Sequence, residues 1–190
     1  ATLESKDFVE KNPENEKYGL GMKLFVIGNS IGEKIGLQKV IKPYAQRLHD
    51  EFNEAVNVSV LERSDGGAYH SVMIYKEENK QILGFNSDLG SRNECYCAGV
   101  GKCLLAFKDQ IDLSVYEKHP MKQYTERTIT TIDGLEKELE KVRRQGYAVD
   151  DEDQELGLTC IAVPIMKGST KQAIAAISLS GPTTRIKDST

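Results

Sequence analysis

The stretch "CYCAGVGKCLLAF", Cys95 to Phe107, gathers three cysteines, two glycines and a lysine into thirteen positions. Four kinds of chemistry use such residues. A phosphate-binding loop needs Gly-x-x-x-x-Gly-Lys-Ser/Thr, but Cys103 follows Lys102 and Tyr96 stands at the first glycine position, so that pattern fails twice. Structural zinc takes four ligands, typically from paired Cys-x-x-Cys clusters; Cys95 and Cys97 are separated by one residue, and no histidine lies near Cys103. A nucleophilic thiol needs a base or a helix N-terminus. Cys97 precedes an expected helix start, which would lower its pKa, yet His49, His70 and His119 are all distant in sequence. Finally, "AGVGKCLLA" reads as a helix with a first turn of small residues, its Gly99 and Val100 amides bare and pointing outward to receive a carboxylate or phosphate. The same glycines would equally permit close packing, and both readings stand.

Several elements must position these groups. The runs "DFVEK" and "EKYGLG", joined by turn formers at Asn12 to Asn15, predict a hairpin. Leu24, Ile27, Ile31 and Ile35 recur at helical spacing, as do Val40, Ile41, Tyr44 and Leu48, with Pro43 suited to the first turn of the second helix. Strands are expected at "AVNVSVLE", "AYHSVMIYK" and "QILGFN", with "SDLGSRN" a loop. Asp133 is the expected cap, with Glu136 in capping-box position, of a helix striped by Leu135, Leu139 and Val142 and ended by Gly146. The runs "LTCIAVPIM" and "QAIAAISLS" flank the turn "KGST" and predict a central antiparallel hairpin. Strands, then helices, then strands define an α+β fold rather than a βαβ repeat.

Composition narrows the function. At 190 residues the chain can bury a real core, and its net charge of −4 gives no basic footprint for a polyanion. The acidic opening "ATLESKDFVEKNPENEK" lacks the features of a signal peptide, and the chain is expected to be cytoplasmic. Four cysteines in a chain this long are too sparse for a disulfide framework.

"GYAVDDEDQELGLTCIAVPI", "AIAAISLSGPTTRI" and "GVGKCLLA" resemble signature segments of the IclR family of bacterial transcription regulators. "FVEKNPENEKYGLGMKLFVIG" resembles that family's wing hairpin and linker helix, and "YTERTIT" resembles the KdgR-type members, which answer to 2-keto-3-deoxygluconate. The resemblance implies a two-part regulator: a winged helix-turn-helix for DNA, and a GAF/PAS-like domain, a mainly antiparallel sheet flanked by helices, for a small effector. On it, residues 1–21 are the remnant of the wing, 22–36 the linker helix and 37–190 the effector-binding domain. It further implies a homodimer or homotetramer, DNA contact only through the winged-helix part, no membrane, no metal, no cofactor and no catalysis.

The resemblance also places the effector, a keto acid or sugar acid, against the amides of Gly99 and Val100, with Asp150, Cys160, Ser178 and Ser180 on later strands. Ser178 and Ser180, two apart on a strand, share one face. An ionised carboxylate only accepts hydrogen bonds, so Asp150 asks for a ligand hydroxyl. On its own, Asp150 would read as part of a solvated acidic loop, since five of the six residues from Asp150 to Glu155 are acidic. Cys97, Ala98, Asn93 and Glu94 depart from the family pattern; a polar Asn93 suits a polyhydroxy ligand, and Glu94 would repel a second carboxylate. Two other classes remain open: a GAF-like thiol enzyme reducing methionine sulfoxide, and a pure oligomerisation module.

Overall fold

The structure is a computed structural model that describes residues 2–78, 88–168 and 170–188. It divides into two compact units, Ala1–Pro43 and Tyr44–Thr190. In the first unit, β1 (Val9–Lys11) and β2 (Tyr18–Leu20) pair antiparallel, with Val9 opposite Leu20. Side-chain oxygens of Asn12 and Asn15 accept from the amides of Glu14 and Lys17, the local bonding that makes asparagine a turn former. Helix α1 (Met22–Ile35) follows Gly21, where a Cβ would lie 2.2 Å from the carbonyl oxygen of Asp7.

Gly36, at φ 55°, separates α1 from α2 (Leu37–Phe52). Because α2 begins at Leu37, Pro43 lies in its interior rather than its first turn. A proline there removes one helical hydrogen bond, a local cost of about 3 kcal/mol.

The second unit is built on a six-stranded antiparallel sheet in the order β5-β4-β3-β8-β7-β6. Its strands are β3 (Ala55–Arg63), β4 (Tyr69–Glu77), β5 (Arg92–Glu94), β6 (Ala148–Asp151), β7 (Leu158–Met166) and β8 (Ala173–Pro182). The α+β class expected from the element order holds, and β7 and β8 form the expected hairpin. Three local expectations change. Arg92 and Asn93, expected in a loop, pair with Val72 and Ser71 as strand β5. "QILGFN", residues 81–86, lies outside the described residues. The polar members of "AVNVSVLE", which alternation alone would send to solvent, are buried: Asn57 and Ser59 face an interior of their own.

Helix α3 (Gly99–Ala106) is buried along its entire length. It contacts β7, β8 and α5 (Ile132–Gln145). Leu135, Leu139 and Val142 of α5 are fully buried with Leu104 and Leu105 of α3, each worth roughly 1.5–3 kcal/mol of transfer free energy. The cap of α5 is Thr131, whose hydroxyl accepts from the Gly134 amide at 3.2 Å; Asp133 sits inside the first turn, two residues past the cap. Gly134 occupies the place a capping-box glutamate would need, and Gly146 ends the helix at φ 85°. Two short helices, α4 (Val115–Lys118) and α6 (Thr183–Asp188), complete the unit. Arg185 of α6 forms a two-pronged ion pair with buried Glu54. Among the described residues, no helix is long and apolar enough to cross a membrane.

Candidate effector site

Strand register sets out the site. Asp150 of β6 lies opposite Cys160 of β7, and Cys160 opposite Ser180 of β8, so these three form one cross-strand row. The next row on the same face carries Ala162, Ser178 and Asn57. Alternate residues of a strand share a face, which is why "SLS" delivers two hydroxyls to one side. Against that face stands the start of α3. No described side chain caps its N-terminus, and the helix starts after Ala98 in extended conformation. Its first amides have no partner within the helix.

The two glycines of this turn serve different ends. A Cβ on Gly101 would lie 2.4 Å from the Cα of Cys95, so the close-packing reading applies there. A Cβ on Gly99 would meet only ordinary contacts at 3.4 Å or more. Crowding therefore does not account for Gly99, which stands against Ala162 and Cys160 of β7. Far from pointing outward to solvent, this turn is buried.

A cavity of about 20 Å³ lies between the helix and the sheet. All seven residues singled out from the sequence line it: Gly99, Val100, Asp150, Cys160, Ser178, Ser180 and Asn93. They come from five elements spread over 88 positions of the chain (93 to 180). Its other walls are Asn57, Ser59, Met73, Ala98 and Gln154. Asn57 donates to the Ser180 hydroxyl at 3.1 Å, and the hydroxyls of Ser178 and Ser180 are 3.3 Å apart. Asn57 and Ser59 carried one legible signal, polar residues two apart inside an apolar strand. Gln154 carried none, being one polar residue in an acidic run.

Electrostatics sharpen the role of Asp150. The residue is 1 % exposed, and one carboxyl oxygen accepts from the amides of Asp153, at 2.8 Å, and Gln154, at 3.4 Å. Burial, reinforced by the charge of Asp153, raises its pKa to about 7 against the opposing pull of Lys102. The acidic run is thus not a uniformly solvated loop: Asp150 and Asp153 turn inward, while Asp151 meets Arg127 and Lys187 at the surface. Lys102, 2 % exposed, donates to the Val149 carbonyl at 2.9 Å and pairs with Asp153.

The thiols are placed as core groups. Burial pushes Cys97 up to about 12, with Asp150 and Glu94 adding to the shift, so the helix N-terminus does not activate it. Cys103 is also raised to about 12 and donates to the Ala162 carbonyl at 3.1 Å. Cys95 and Cys160 are raised by burial as well. None of the three histidines lines the cavity. His49 bonds the Glu54 carbonyl, His70 lies 3.4 Å from Glu94, and the ring of His119 abuts Gly66. Glu94 does not line the cavity, although its charge reaches Cys97 beside it.

A larger groove of about 770 Å³ lies elsewhere, floored by Val149, Ile161 and Val163, which alternate with Asp150 and Cys160. Its cations have carboxylate partners: Lys141 pairs with Glu138, Lys187 with Asp151, and Arg127 with Asp151. Size alone favours this groove. Convergence of uncapped amides, hydroxyls and a perturbed carboxyl favours the smaller cavity.

A buried cavity with polar walls, between an uncapped helix and a curled antiparallel sheet, fits a domain that binds a small molecule. The chain belongs to the IclR family of bacterial transcription regulators: residues 30–190 match the family model described as "Bacterial transcriptional regulator IclR C-terminal", the effector-binding domain. It is 34 % identical over 188 residues to the HTH-type transcriptional regulator KdgR of Escherichia coli, spanning 98 % of this chain and 69 % of that protein. Identity to the transcriptional repressor IclR of the same organism is 29 % over 189 residues, or 98 % and 67 % of the two chains. The crystal structure of IclR from Thermotoga maritima is similar at a TM-score of 0.75 and 30 % identity, covering 98 % of this chain and 75 % of that one. An IclR homologue from Microbacterium hydrocarbonoxydans, solved in complex with 4-hydroxybenzoate, shares the fold at a TM-score of 0.79 and 22 % identity, over 96 % and 72 % of the chains.

Proposed function

We propose that this domain senses a small keto or hydroxylated carboxylic acid in the cavity between α3 and the sheet, and that binding alters DNA recognition by the regulator. The observation that carries the reading is convergence: the seven residues that the family resemblance singled out, scattered over five elements, line one cavity. The Gly99 and Val100 amides take the carboxylate. Ser178 and Ser180 bond the neighbouring oxygen, Asp150 accepts from a ligand hydroxyl, and Cys160 and Asn93 close the walls. Among acids of this kind, sugar-derived ones such as 2-keto-3-deoxygluconate are favoured by the polar wall and by the likeness to KdgR.

In this reading residues 1–21 are the wing of the DNA-binding part, 22–36 the linker helix and 37–190 the sensor. The regulator works in the cytoplasm as a homodimer or homotetramer. The effector acts by binding one conformational state better than another, and the linker carries that difference to the DNA-binding part.

The test is the thermal midpoint of this chain with pyruvate, glyoxylate, 2-keto-3-deoxygluconate, D-gluconate and aromatic carboxylates. Ligand at a hundred times its dissociation constant adds about 2.7 kcal/mol, a rise of roughly 5 to 10 °C for a chain of this size. A selective rise that Asp150→Asn and Ser178→Ala each weaken at least tenfold in ligand concentration is expected. An unchanged midpoint across the panel would remove the sensor function.

A further inference from the structure

Of the twelve residues lining the cavity, ten are buried; only Asn93 and Gln154 reach solvent. They come from opposite sides, Asn93 from the edge strand β5 and Gln154 from the turn after β6, 61 positions apart. The side-chain amide of Gln154 donates to the side-chain oxygen of Asn93 at 3.1 Å, so this one bond spans the mouth.

The surroundings are held firmly. Thr125 and Thr128, from the "YTERTIT" segment, donate to the carbonyls of Glu152 at 2.7 Å and Asp153 at 2.6 Å. The Gly157 carbonyl accepts from the Thr183 amide at 2.8 Å. Between these anchors lie Gln154, Glu155 and the 65 % exposed Leu156. The remaining walls are laddered strands and the packed α3. A volume of about 20 Å³ holds about one water on the usual measure, so any organic acid must part some wall to enter. The Gln154–Asn93 bond is the part free to give way.

We propose that Asn93 and Gln154 form the entry clasp of the cavity and determine its specificity, admitting an acid that carries further hydroxyls in preference to a short keto acid. The inference rests on the effector reading above and adds how that site chooses. Opening the clasp strands an amide donor and an amide acceptor at a half-buried mouth. Groups so stranded cost binding energy unless the ligand replaces the bond. Pyruvate has only a carboxylate and one carbonyl oxygen, all committed to the Gly99 and Val100 amides and the serine hydroxyls, and no hydroxyl to donate. A chain with further hydroxyls both accepts from the Gln154 amide and donates to the Asn93 oxygen, restoring what opening breaks.

The test is calorimetric titration of the whole chain with pyruvate and with 2-keto-3-deoxygluconate, in the parent, Gln154→Leu, Asn93→Ala and Asp150→Asn. The parent is expected to favour the six-carbon acid. Gln154→Leu and Asn93→Ala each remove the bond that pyruvate must break and cannot replace, so each should cut that preference at least tenfold, with pyruvate gaining affinity. A parent that prefers pyruvate, or variants that weaken both acids equally, would overturn the clasp while the Asp150→Asn loss still upholds the site. Binding of neither acid by the parent would overturn the clasp and the effector reading together.

Discussion

Asp150 is the residue whose chemistry depends most on its surroundings. Its carboxyl is raised to about 7 by burial and by Asp153, whose own carboxyl burial also raises, against about 3.9 for an unfolded aspartate. The sign follows from proton binding. Between about pH 4 and 7 the unfolded chain has released this proton while the folded chain keeps it, so folding loses stability as pH rises through the window. Asp150→Asn keeps an oxygen that can accept from the Asp153 amide and removes the titration. The parent's thermal midpoint should therefore fall between pH 4 and 7 by more than the variant's; parallel curves would place the titration elsewhere. The raised thiols lead to a second outcome at this scale. Iodoacetamide at neutral pH should alkylate the folded chain more slowly than a free cysteine, because only thiolate reacts. Rapid labelling of Cys97 would revive the thiol-enzyme alternative. Sequence could name Asp150 and the cysteines, but not the burial that raises Asp150 and reverses the direction expected for Cys97.

At the scale of elements, α3 and α5 carry separable tests. Gly101→Ala drives a Cβ into the backbone of Cys95, where no flexible side chain can give way, and should destabilise the unit by about 1 to 3 kcal/mol or more. Thr131→Ala removes the cap of α5 and should cost about 1 kcal/mol, or roughly 2 to 4 °C in the midpoint. Asp133→Ala, the cap expected from sequence, should cost less. That misplacement is instructive: Thr131, Asp133 and the surrounding residues all favour a helix start, and only backbone geometry chooses among them. The apolar stripe Leu135, Leu139 and Val142 was legible because packing reads periodicity directly. Strand β5 was not, since three residues with Arg, Asn and Glu have no strand signature and hold their place by pairing with β4.

Over the whole molecule, the sheet does what local sequence cannot: it brings together residues from 57 to 180 around one small cavity. Ser178 and Ser180 announced their shared face through a spacing of two, and Gly99 through its place at a helix start. Asn57, legible only as a polar residue in an apolar strand, and Gln154, not legible at all, join the site only through the fold, because their partners Ser180 and Asn93 are 123 and 61 positions away. Two concavities compete as the ligand site, and amide resonances distinguish them most directly. The measurement is a titration of the nitrogen-labelled chain with 2-keto-3-deoxygluconate, followed with pyruvate, by heteronuclear NMR. Saturable shifts of the Gly99 and Val100 amides, lost in Ser178→Ala at the same ligand concentration, are expected. Static Gly99 and Val100 resonances, with shifts confined to Val149 and Ile161 of the larger groove or absent altogether, would contradict an effector site between α3 and the sheet.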